Sequence, residues 1–191
     1  MMKRISQVLT LLTLGCLSGL AFAHVGPDGA AHHGFTEGFS HPFTGLDHLA
    51  AMLAVGIWSA GSARRQWLAP AVFVIMLLAA ALLAQGGLVF PAVEPMIAAS
   101  LVAAGLLLLL TPLQQLPPAV GALLMGGFAL FHGAAHGQEL AGAGALIGMG
   151  LATALLHGLG IALGHALRRW SIWLPRAAGA GVALMGIGLL A

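Results

Sequence analysis

His132 and His136 lie four residues apart in a strongly apolar stretch. On a helix that spacing stacks two imidazoles on one face, close enough to chelate a single ion. Glu139, three residues beyond His136 and seven beyond His132, continues the stripe. A second group, His41-Pro42-Phe43-Thr44-Gly45-Leu46-Asp47-His48, opens an earlier apolar stretch. His41 and His48 share a face if the helix already includes His41, with Met52 one turn below His48. Asp47 either ligates directly or fixes an imidazole tautomer from behind the ligand. Each group also has a plainer reading. His41 can be a solvated residue before the helix, Asp47 a first-turn acid favoured by the dipole, and the His132/His136 pair two interfacial side chains meeting headgroups.

The chain has nine histidines, and ionisable groups inside a bilayer carry function or pair with one another. His157 falls about 21 Å along its apolar stretch at 1.5 Å per residue. It is either a relay ligand on an inward path or a buried histidine bonded to a neighbouring helix. His165, beside Arg168, reads as interfacial. His24, His32 and His33 lie in a polar N-terminal segment that could collect metal. Cys16 is the only cysteine, and cleavage after residue 23 would remove it, so the mature chain offers no thiolate site. Imidazole and carboxylate without thiolate suit Ni(II), Co(II), Zn(II) and Cu(II), and geometry must choose among them.

These residues need helices in lipid to position them. Of 191 residues, 60% are hydrophobic and 6% charged, against about 25% charged in a soluble domain. Such a chain cannot cover its own surface with polar groups, so lipid is its solvent. The 28 glycines suit close helix packing in a bilayer, and the absence of tyrosine argues against nucleic-acid stacking surfaces. Six apolar stretches are expected as spans: Pro42–Ala60, Leu68–Gly87, Pro95–Thr111, Pro118–Gly137, Ala143–Leu167 and Trp173–Ala191. Each approaches the roughly 20 residues that cross a bilayer core.

Before them, Lys3 and Arg4, an apolar run and Ala21-Phe22-Ala23 match a cleavable signal peptide over residues 1–23. Cleavage would leave His24 first, offering an α-amine and an imidazole together. Export then places the N-terminus outside. Arg64, Arg65, Arg168, Arg169 and Arg176 fall on the inner side, and Asp28, Glu37, Asp47, Glu94 and Glu139 on the outer side, as the positive-inside rule requires. Trp58, Trp67, Trp170 and Trp173 flank the arginine loops as interfacial anchors. The first span enters from outside and the fourth exits to it. Asp47, His48, His132 and His136 therefore share a depth and can form one site.

The expected architecture is an all-α integral membrane bundle of about six transmembrane helices after a cleavable signal peptide. At His41-Pro42-x-x-Gly45-x-Asp47-His48, Phe131-His132-Gly133-x-Ala135-His136-Gly137-x-Glu139 and, more loosely, Ala154-Leu155-Leu156-His157, the chain resembles the HupE/UreJ family of bacterial nickel and cobalt permeases. The likeness runs from the signal peptide to the last span. It departs at Ala134, where a larger side chain, sometimes histidine, is expected. The resemblance implies that residues 24–191 form a single permease domain and import Ni²⁺ or Co²⁺ across the inner membrane to supply hydrogenase or urease maturation. His41, Asp47, His48, His132, His136, Glu139 and His157 would line the path, with both mature termini periplasmic and no prosthetic group. Partners would be the divalent ion and membrane lipid, with a homo-oligomer left open. The rival from another class is an intramembrane zinc hydrolase, in which His48, His132 and His136 hold the metal and Asp47 or Glu139 activates water. A bis-histidine haem protein is a weaker third reading. No G-x-S-x-G or G-x-x-x-x-G-K-[ST] motif occurs, which argues against a serine hydrolase and against ATP as an unaided driver.

Overall fold

The structure, a computed structural model, describes residues 32–62, 64–110 and 116–191. Seven helices account for nearly all of them: α1 (Phe35–Ser40), α2 (Leu46–Ser59), α3 (Leu68–Gln85), α4 (Val93–Leu110), α5 (Pro118–Glu139), α6 (Gly142–Trp170) and α7 (Trp173–Leu190). A 3₁₀ turn, His41–Phe43, joins α1 to α2. Two short strands, β1 (His32–His33) and β2 (Leu140–Ala141), pair in parallel. The expected signal peptide, His24 and most of the loop at 112–117 lie outside the described residues.

Helices α3 to α7 are each long and apolar enough to cross a membrane. Ile75, Leu82, Leu123, Leu155 and Leu184 point outward from them, each more than half exposed. A belt of that size would drive aggregation in water, and it is what lipid solvates. The chain is therefore a multi-pass membrane protein. The five spans begin and end within a few residues of their expected limits.

The first expected span, 42–60, is different. It breaks at Thr44–Gly45, so α2 has only 14 residues. Thr44 Oγ1 donates to the His41 carbonyl at 2.7 Å, closing the 3₁₀ turn. Gly45 then takes an extended conformation as the residue before α2. A second difference lies upstream, in the polar segment before the first expected span. Phe35, Phe39 and Phe43 recur at helical spacing and stack in sequence, with centroids 5.9 Å apart at each step. That stripe draws residues 35–40 into α1.

Packing is most extensive between α3 and α5, then α4 with α7 and α2 with α6, while α1 lies on α6. Small residues set these approaches. Gly133 and Gly137 sit where an added Cβ would collide with the carbonyls of Leu77 and Ala81 on α3. Trp58 corrects the expectation of four interfacial tryptophans. Its ring is buried because Gly121 leaves room for it on α5, whereas Trp67, Trp170 and Trp173 are exposed.

Candidate metal centre

The first turn of α2 carries Asp47 and His48 inward, both buried. His48 Nδ1 lies 3.1 Å from Asp47 Oδ1. A carboxylate only accepts, so the imidazole donates through Nδ1 and keeps Nε2 as its acceptor nitrogen. Asp47 thus stands behind His48 in the orienting role, at a helix N-terminus that favours its charge.

Helix α5 supplies His132 and His136 one turn apart, with Glu139 as its last residue. The helix runs two residues past its expected end, which puts Glu139 within reach of the 3₁₀ turn. His41 Nε2 is 2.8 Å from Glu139 Oε2, and His136 Nδ1 is 3.7 Å from the same oxygen. One ligand atom from each of His41, His136 and Glu139 falls within 4.8 Å of the others. Two ligands about 2 Å from one ion sit no more than about 4 Å apart, so a small adjustment would close this triad on a metal. His41 joins the site from the 3₁₀ turn rather than from the helix that carries His48, so the shared face expected from their spacing is not what unites them.

From the triad inward the imidazoles form a row. His136 is 4.8 Å from the His41 ring and 4.3 Å from that of His48, and His48 is 4.8 Å from His132. The two clusters expected at one depth therefore meet. Phe73 on α3 comes next, with its ring 5.6 Å from His132 and 5.0 Å from His157. His157 donates from Nδ1 to the Met52 carbonyl on α2 at 2.8 Å. It is a buried histidine bonded to a neighbour, yet its Nε2 is left with a lone pair and no hydrogen-bond partner among the described residues. His132 Nδ1 and His136 Nε2 are also without one there. Burying an unpaired polar atom costs about 1–3 kcal/mol. Several in one row are a costly arrangement for a purely structural core and a suitable one for receiving a cation.

Other expected positions stand apart. His165 is exposed and bonds Gln66 Oε1 at 2.9 Å, at the end of the bundle where Arg168 meets the Ile57 carbonyl. His32 and His33 are placed through their backbone alone, pairing with Leu140 and Ala141. Ala134, the departure noted above, is wholly buried. Three residues were not anticipated. Phe73 separates His132 from His157, Ser100 bonds His132 Nε2 at 2.8 Å, and Gln85 clamps the Leu140 carbonyl at 2.8 Å just beyond Glu139. A glutamine in an apolar span is a polar group at membrane depth, and that signal could have marked Gln85; a serine that satisfies itself within its own helix gives no such signal.

Residues 11–189 match the family described as HupE / UreJ protein. Protein HupE of Rhizobium leguminosarum bv. viciae is 38% identical over 192 residues, covering 97% of this chain and 97% of that protein. No solved structure matches.

Proposed function

Since the chain belongs to the HupE/UreJ family, we propose that it is a secondary permease importing Ni²⁺, or Co²⁺, across the bacterial inner membrane for hydrogenase or urease maturation. The observation that carries this reading is the unbroken row of imidazoles from His41 through His136 and His48 to His132. A resident metal needs one closed set of ligands, whereas a moving ion needs successive sets that share members. The six-span topology follows from counting α2 as the first span, with both mature termini periplasmic.

In this mechanism the ion enters beside His41, His136 and Glu139, where carboxylate and imidazole replace part of its hydration. His136 already touches His48, so the ion can gain the next ligand before losing the last. Asp47 holds His48 in the tautomer that presents Nε2. His132 continues the row, and His157 offers the ligand beyond Phe73. Each station binds weakly enough to release its ion to the next. The driving force is a downhill gradient or the membrane potential, which is worth about 2.3 kcal/mol per elementary charge per 100 mV.

The test is ⁶³Ni²⁺ uptake into proteoliposomes, with Co²⁺ and Zn²⁺ as competitors and His132→Ala as the control. Saturable uptake that disappears in His132→Ala is the expected result, and the competitors rank the metals. Tight binding without flux would overturn transport and favour the zinc hydrolase instead.

A further inference from the structure

The Ser100 hydroxyl lies 2.6 Å from the Ile97 carbonyl and 2.8 Å from His132 Nε2. Ser100 is 3% exposed and His132 0% exposed, so no solvent proton settles the pattern. A hydroxyl has one hydrogen and a carbonyl only accepts, hence the hydrogen goes to Ile97, the i−3 back-bond familiar for serine in helices. Towards His132 the oxygen can then only accept, and the imidazole must carry its hydrogen on Nε2. Its lone pair is thereby assigned to Nδ1, which is buried without a hydrogen-bond partner among the described residues. The other buried residues of α4 are Ile97, Ala98, Leu101, Ala104, Gly105 and Leu108. Ser100 is the one polar member, and its side chain meets the metal row.

We propose that Ser100 is a positioning residue that locks His132 in the Nε2–H tautomer and so makes Nδ1 its metal-binding atom. This rests on the reading of His132 as a ligand for the transported ion. Asp47 does the same for His48 through the opposite ring nitrogen, and the Met52 carbonyl does so for His157. Successive histidines would thus alternate the nitrogen they offer, with Nε2 of His48, Nδ1 of His132 and Nε2 of His157. Removing the hydroxyl leaves the ring shape and its neighbours intact but frees the tautomer. Loss of such an outer partner typically weakens metal binding by about 10–100-fold.

The experiment compares wild type, Ser100→Ala, Ser100→Thr and His132→Ala. It measures equilibrium Ni²⁺ binding in detergent, ⁶³Ni²⁺ uptake, and the ¹⁵N resonances of histidine-labelled metal-free protein. Wild type should show an Nε2–H signature that is absent in His132→Ala. Ser100→Ala should lose that signature's uniqueness and raise the Ni²⁺ half-saturation by about 10–100-fold. Ser100→Thr, whose hydroxyl can make the same back-bond, should restore both. An Nδ1–H signature for His132, or wild-type binding and spectra in Ser100→Ala, would overturn the assignment. If wild type binds Ni²⁺ but passes none, the permease reading fails, while the binding and spectral comparison still decides the role of Ser100.

Discussion

The side chains of the row differ in what stands behind them, and mutational effects should follow that difference. Glu139 is within reach of both His41 and His136, so Glu139→Gln removes the charge of a proposed ligand and disturbs two imidazoles at once. Its Ni²⁺ half-saturation in vesicle uptake is expected to rise by at least the about 10–100-fold that attends loss of a partner to a ligand. His165→Ala is the matching control. That side chain is exposed and bonds Gln66, and uptake should be unchanged. Histidines and acids were readable in the sequence because an ionisable group at membrane depth demands a reason. Ser100 was not, because a serine can satisfy itself by back-bonding within its own helix. Nothing in its local sequence distinguishes that case from one that also receives an imidazole.

Among the elements, α1 and the 3₁₀ turn have the least apparent reason to exist and the clearest consequence. They carry His41 to Glu139, and they are seated by Gly38, where an added Cβ would run into the Ala145 backbone of α6. Overpacking of this kind costs about 1–3 kcal/mol. Gly38→Val should therefore lift α1 away and weaken Ni²⁺ uptake while leaving the five long spans assembled. Paired measurements of vesicle uptake and detergent thermal unfolding would check it, and a collapse of the whole bundle would contradict it. Helices α3 to α7 were legible because long apolar runs bounded by polar loops have few alternatives in lipid. The region from 35 to 45 was not. Gly34, Gly38 and Gly45 look like breakers, and Pro42 looks like a helix start. Only tertiary contact with α6 turns the phenylalanine spacing into a helix and strands Pro42 in the turn before the break.

For the molecule as a whole, α2 is the outlier. Its 14 residues span about 21 Å at 1.5 Å per residue, short of the roughly 30 Å hydrocarbon core. Backbone that is not helical is tolerated at such depth where protein or a watery cavity covers it, and the segment from α1 to Gly45 lies against α6 in that way. Charge sets the last constraint. The row contains two carboxylates, Asp47 and Glu139, and its rings are 4.3 to 4.8 Å apart. Two divalent ions about 5 Å apart repel by about 13 kcal/mol at an effective dielectric of about 20. Two negative charges, by contrast, neutralise one such ion. Equilibrium dialysis should accordingly find one Ni²⁺ per chain, and Asp47→Asn should bind it more weakly without changing that stoichiometry. On the proposed permease reading, neighbouring stations would then compete for a single occupant, so an ion arriving at Glu139 would lower the affinity of one held at His132 and hasten its departure.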